Sequence, residues 1–132
     1  ARAIGEMFKK TNKNEAAFPS EVIEVYRRNA SQPGALRAMI NFYRAYRFGW
    51  WERERKWRKN LHGPITIRTL LIWGDGDEFL DKAIATNTHS YVTDLQIRFI
   101  EGASHWVQQE RPEEVNQLIE EFVTETLRTA ND

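Results

Sequence analysis

The fold turns on nine residues, Thr69-Leu70-Leu71-Ile72-Trp73-Gly74-Asp75-Gly76-Asp77. Residues 69–73 are a nearly unbroken apolar run, which suits a strand covered on both faces, as in parallel sheets. The run stops at Gly74-Asp75-Gly76-Asp77, a strong turn signal. Upstream, Ile65-Thr66-Ile67-Arg68 alternates, which extends the expected strand back to Ile65. Downstream, the spacing predicts a short helix over 80–92 with Ile84 and Tyr91 as contacts. A second strand follows at Gln96-Ile97-Arg98-Phe99-Ile100, closed by Glu101-Gly102. Pro112 then opens the clearest element. Glu113 and Glu114 suit its first turn, and Val115, Leu118, Ile119, Phe122 and Val123 form an apolar stripe. Strand, turn, helix, strand, turn, helix implies parallel pairing through helical crossovers. The fold class is α/β, with a sheet that two strands leave incomplete.

The first half reads as helical. Residues 1–17 are polar without a clear period, and Lys9 to Asn14 reads as loop. A helix is expected from Pro19, with Val22, Ile23, Val25 and Tyr26 on its apolar side. Asn29-Ala30-Ser31 breaks it. A second helix starts near Gln32-Pro33-Gly34, with Ser31 as its expected cap. Leu36, Met39, Ile40 and Tyr43 follow the spacing of a buried face, so the Tyr43 hydroxyl needs a partner or an open cavity there. Three regions result: residues 1–48, a Trp- and Arg-rich connector at 49–64, and 65–132.

Composition narrows the possibilities. The chain has 132 residues, of which 41% are apolar and 12% aromatic, as in a folded domain. It has no cysteine, which removes disulfides, thiolate metal sites and cysteine nucleophiles. Nineteen basic and 19 acidic side chains cancel, leaving no global attraction to nucleic acid or anionic membrane. No apolar run approaches the ~20 residues of a membrane span. Ala1 to Gly5 lacks the apolar stretch of a signal peptide, so a cytoplasmic location is expected.

In an open parallel sheet, functional groups collect just past the carboxyl ends of the strands. Asp77 lies past the first strand. His105, in Gly102-Ala103-Ser104-His105-Trp106, lies past the second. Adjacent parallel strands bring both to one edge. There an Asp holds one imidazole nitrogen and leaves the other free to act as a base. Against this stands the plainer reading of Asp77 as a turn residue and His105 as a polar loop residue.

Residues 69–123 resemble the carboxyl-terminal part of epoxide hydrolases of the α/β-hydrolase superfamily. The resemblance is carried by residues 69–77 and by Gly102-Ala103-Ser104-His105-Trp106-Val107-Gln108-Gln109-Glu110-Arg111-Pro112, continuing through Glu113-Glu114-Val115-Asn116. Asn41-Phe42-Tyr43-Arg44 is similar to the family's Asn-aromatic-Tyr-Arg motif in a helical cap, and Pro19 to Tyr43 looks like the end of that cap. The resemblance implies an α/β-hydrolase core at 65–132 after the end of a cap at 1–48. It makes Asp77 the charge-relay acid, His105 the general base and Tyr43 a hydrogen-bond donor to the epoxide oxygen. The implied partners are a small apolar epoxide and water, with no metal or organic cofactor, no nucleic acid and no membrane span.

The family places a nucleophilic Asp on a sharp turn ahead of the cap. Nothing before Tyr43 looks like that turn, and His62-Gly63-Pro64 lacks the intervening residue of the His-Gly-X-Pro oxyanion motif. Tyr26 is not assigned as the second cap tyrosine. The expectation is therefore a carboxyl-terminal portion that is catalytically incomplete alone. Its open sheet edge is expected to pair with itself or with the missing half.

Three alternatives stand beside this reading. Haloalkane dehalogenases share the triad logic but need halide-binding donors where Tyr43 stands. A nucleic-acid or protein-binding module would use Arg47, Arg53, Arg55, Lys56, Arg58 and Lys59 interleaved with Trp50, Trp51 and Trp57, although Glu52 and Glu54 dilute that patch. A calcium loop over Asp75, Asp77 and Asp81 lacks the required ligand spacing. Ser104 lacks the turn of a serine nucleophile, and His62 and His89 need no special role.

Overall fold

The computed structural model describes residues 2–47, 52–56 and 63–129. The chain divides into two compact units, Ala1–Lys10 with Phe18–Gly63, and Thr11–Ala17 with Pro64–Asp132.

Helix α1 spans Arg2–Thr11, with all but its last residue in the first unit. The loop expected over Lys9 to Asn14 thus begins only after Thr11. Gly5 is buried on α1, and Phe8 is 3% exposed, stacked on Phe18 at 4.9 Å between centroids and packed at a tilt against Tyr26 at 4.6 Å. Gly5 lets the next helix approach closely, since a Cβ there would lie 2.9 Å from Ile23 Cγ2. That helix, α2 (Ser20–Ala30), starts from Pro19, which sits one residue outside it with extended backbone. Ile23 and Ala30 are buried on it.

Helix α3 spans Ala35–Arg47. Ser31 does not cap it. Its Oγ donates instead to Arg27 O at 2.8 Å, closing the end of α2. Leu36, Met39, Ile40 and Tyr43 share one face of α3 as expected, but the face is open. Tyr43 is 72% exposed, and the others are 43–48% exposed. The Tyr43 hydroxyl therefore faces no burial cost among the described residues. Of the connector, the structure describes a helical stretch at 52–56. Trp50, Trp51, Trp57, Arg58, Lys59 and His62 lie outside the described residues, and with them most of the basic-aromatic patch.

The second unit is built on β1 (Thr69–Gly74) and β2 (Leu95–Ile100), paired parallel from Thr69↔Leu95 to Gly74↔Ile100. They are the whole sheet among the described residues. Of the alternating stretch before β1, Ile65 alone pairs, in an isolated bridge to Val92. The Thr69 hydroxyl turns back onto Ile67 O at 2.8 Å, and β1 starts there. Between the strands runs α4 (Lys82–Asn87), shorter than expected, with a 3-10 turn at Thr88–Ser90 completing the connection. Asp81 caps α4 by accepting from Ala83 N at 2.7 Å.

After β2 come a single turn, α5 (Val107–Glu110), and the long α6 (Pro112–Thr129). Ile100, Ala103 and Val115 form the buried core, with Ile72, Val107 and Leu118 packed against it. Arg68 ties β1 to α6 by an ion pair to Glu125 at 2.6 Å while lying over the Phe122 ring. Ile119 and Val123 of the expected stripe remain 45% and 47% exposed. No described helix is long and apolar enough to cross a membrane.

Candidate active site

The turns after β1 and β2 are bonded into one structure. Asp75 N donates to Ile100 O at 3.2 Å and Gly76 N to Ala103 O at 2.9 Å. Asp75 Oδ1 accepts from Gly102 N at 2.7 Å. Gly74 permits this approach, because a Cβ there would sit 2.2 Å from Ser104 O and 2.5 Å from Ala103 O. The two loops are thereby locked side by side at the carboxyl ends of the strands.

Asp77 and His105 meet on this platform. His105 Nδ1 lies 2.8 Å from Asp77 Oδ2. The other carboxylate oxygen accepts from Phe79 N at 2.8 Å and Leu80 N at 3.1 Å. The Asp77 side chain is 6% exposed and that of His105 is 36% exposed. Burial alone would raise the Asp77 carboxyl. The hydrogen bond from His105, the Phe79 and Leu80 amides and the His105 charge outweigh it, and the carboxyl sits below its ordinary range. An ionised carboxylate only accepts, so Nδ1 is the donor. In the neutral ring Nε2 is then left with its lone pair free. This is the arrangement of a base held by an acid.

Aromatic rings frame the imidazole. The Phe79 and Trp106 rings lie 5.1 and 5.2 Å from it between centroids, both in edge-on geometry. A groove of about 220 Å³ opens beside the pair. Its lining includes Trp73, Leu80, Val107 and Gln108 with Asp77 and His105. It follows four consecutive residues of β1, Leu71 to Gly74, and no residue of β2, so it runs along the edge of β1 that is unpaired among the described residues. The Trp73 indole N–H is buried there without a hydrogen-bond partner among the described residues.

The remaining carboxylates have separate tasks. Asp75 holds Gly102 and Asp81 caps α4. No cluster of His, Asp and Glu suited to a metal ion occurs among the described residues. Tyr43 belongs to the first unit, and the pair to the second. The sequence reading passed over Glu110, Phe79 and the Lys13–Asn14 segment. Glu110 is buried at 2% exposure and bonds to Ser104 and Lys13. No local pattern marks that burial, because Lys13 and Asn14, which complete the partners of Glu110 beside Ser104, lie nearly 100 residues away in sequence.

No protein-family model matches the chain. Over 108 residues, 82% of its length, the chain is 37% identical to AB hydrolase superfamily protein YfhM of Bacillus subtilis. It is 35% identical over 84% of its length to epoxide hydrolase 3 of Xenopus tropicalis, and 37% identical over 83% to human epoxide hydrolase 4. The match spans 35%, 28% and 28% of those proteins, about a third of their length. Among solved structures, wild-type Cfl2 from Burkholderia cenocepacia superposes with a TM-score of 0.76 at 20% identity, covering 92% of this chain and 40% of that one. That is a likeness of fold.

Proposed function

Because this chain belongs to the α/β-hydrolase superfamily, as a carboxyl-terminal part of an epoxide hydrolase-like member, we propose that it supplies the water-activating half of an epoxide-opening site. The observation that carries this reading is the 2.8 Å contact from His105 Nδ1 to Asp77 at the strand ends, which leaves Nε2 free. The reaction has two stages. A carboxylate from sequence outside these 132 residues attacks an epoxide carbon. The ring C–O bond breaks, and Tyr43 donates a hydrogen bond to the departing oxygen. An alkyl-enzyme ester results. His105 Nε2 then takes a proton from water, whose oxygen attacks the acyl carbon. The ester C–O bond breaks and the imidazolium passes its proton to the alkoxide released from the ester. The carboxyl group formed at the acyl carbon gives up the second water proton, which makes up the hydroxyl of the ring-derived oxygen, and a diol leaves as the carboxylate is restored. Asp77 keeps the imidazole in the required tautomer and stabilises the imidazolium.

Every step is run by side chains, so the reading calls for no cofactor. Its substrates are a small apolar epoxide and water. The groove along the open edge of β1 is where the remainder of the sheet would join. On this reading the 132-residue chain alone turns over no epoxide, and diol formation by it with loss on His105→Ala would overturn that statement.

The test is turnover of an aryl-substituted epoxide by the full-length protein that carries this chain. Diol formation that falls about 10²–10⁴-fold in His105→Ala supports the reading. Unchanged turnover in His105→Ala contradicts it. Halide release from a haloalkane with no diol from epoxides would replace it with dehalogenation.

A further inference from the structure

Glu110 is 2% exposed and no step of the reaction uses it. A buried carboxylate is costly unless its oxygens are satisfied. Here Oε1 accepts from Lys13 N and from Ser104 Oγ, each at 2.7 Å, and Oε2 accepts from Ser104 N at 2.7 Å. The Glu110 carbonyl accepts from Asn14 Nδ2 at 3.0 Å. The network reaches past His105. Ser104 Oγ, while donating to Glu110, accepts from Trp106 N at 3.1 Å. Trp106 Nε1 in turn donates to Thr11 Oγ1 at 3.0 Å. The residues immediately before and after His105 therefore hang on one carboxylate, directly or through one hydroxyl.

We propose that Glu110 is a positioning residue for the base: it fixes the backbone on both sides of His105 and so keeps the imidazole against Asp77. This rests on reading His105 and Asp77 as base and orienting acid. The chemistry of the network requires an acceptor on both oxygens. In Glu110→Gln, an NH₂ at the Oε2 position would face Ser104 N–H, and at the Oε1 position it would face Lys13 N–H. Either orientation sets donor against donor with the side-chain shape unchanged.

The experiment is solution NMR on the 132-residue chain, without substrate, following the Asp77 carboxyl titration and the His105 Nδ1–H resonance. The charged neighbours Glu78 and Lys13, which pair with each other, are kept in every variant. In Glu110→Gln the Asp77 midpoint is expected to rise toward the ordinary carboxylate range and the Nδ1–H resonance to be lost. Ser104→Ala removes the hydroxyl link alone and is expected to shift the midpoint in the same direction by less. Val115→Ala, a core truncation, is expected to lower Tm and leave both signals in place. If Glu110→Gln does not fold, Ser104→Ala decides. Wild-type signals in Glu110→Gln or Ser104→Ala would overturn the proposal, as would equal changes in Val115→Ala. Because no turnover is read, its failure is distinct from failure of the epoxide reading, which His105→Ala tests in the full-length protein.

Discussion

At His105 the imidazole is held by its Nδ1 side, and Asp77 contributes through a carboxyl kept below its ordinary range. A carboxyl depressed on folding stabilises the fold at pH above the ordinary carboxylate range. That contribution fades as pH falls through the depressed value of the folded state. Asp77→Asn should therefore be less stable than wild type near neutral pH, with the gap closing in acid. Urea unfolding at several pH values measures it, and a gap that is constant with pH would contradict the assignment. Tyr43 behaves oppositely. With the ring 72% exposed, Tyr43→Phe should leave the stability of the chain within about 0.5 kcal/mol. In the full-length protein it should reduce epoxide turnover by about tenfold or more, the loss of one hydrogen bond to a developing oxyanion. The positions of Asp77 and His105 were legible because abrupt strand ends fixed where each falls. Glu110 was not legible, since it reads as one more charge beside Arg111 and becomes buried only when Lys13 and Ser104 converge on it.

At the scale of elements, the turn after β1 carries the greatest geometric constraint. Gly74→Ala would drive a Cβ into two backbone carbonyls of the His105 loop, Ala103 O and Ser104 O. The expected cost is at least about 1–3 kcal/mol in urea unfolding, with loss of the His105 Nδ1–H resonance. A neutral substitution would contradict the close approach. Asp81→Ala removes the cap of the six-residue α4 and should cost about 1 kcal/mol. The parallel strands and α6 were legible because their periods are strong and their ends carry Gly, Asp and Pro. α1 was not. Its core-facing Gly5 and Phe8 are scattered among Lys and Glu, and the one usable signal was Ile4 with Phe8 at helical spacing. α5 is a single turn, too short to carry a period. The reading of Ser31 failed because a hydroxyl after a helix competes for the carbonyls behind it as readily as for the amides ahead.

At the scale of the whole molecule, β1 has one paired edge and one open edge among the described residues. The apolar stripe of α6 is half uncovered at Ile119 and Val123, and the face of α3 is open at Leu36, Met39 and Ile40. Such surface drives association. Light scattering on the chain should report a mass above the 15.6 kDa of one copy, and a monodisperse monomer that unfolds cooperatively would contradict this. The incomplete sheet was legible from a central-type strand with one available neighbour. The enclosure of Thr11–Ala17 in the same unit as the pair was not, since that contact joins residues nearly 100 positions apart and leaves no local trace. The central claim is that His105, oriented by Asp77, activates the water that cleaves an alkyl-enzyme ester. Its most direct test is intact-mass measurement of the full-length protein carrying His105→Ala after mixing with an epoxide. The expected result is a persistent mass increase equal to that of the epoxide, from an ester that forms and is not hydrolysed. An unmodified mass together with continued diol formation would contradict it.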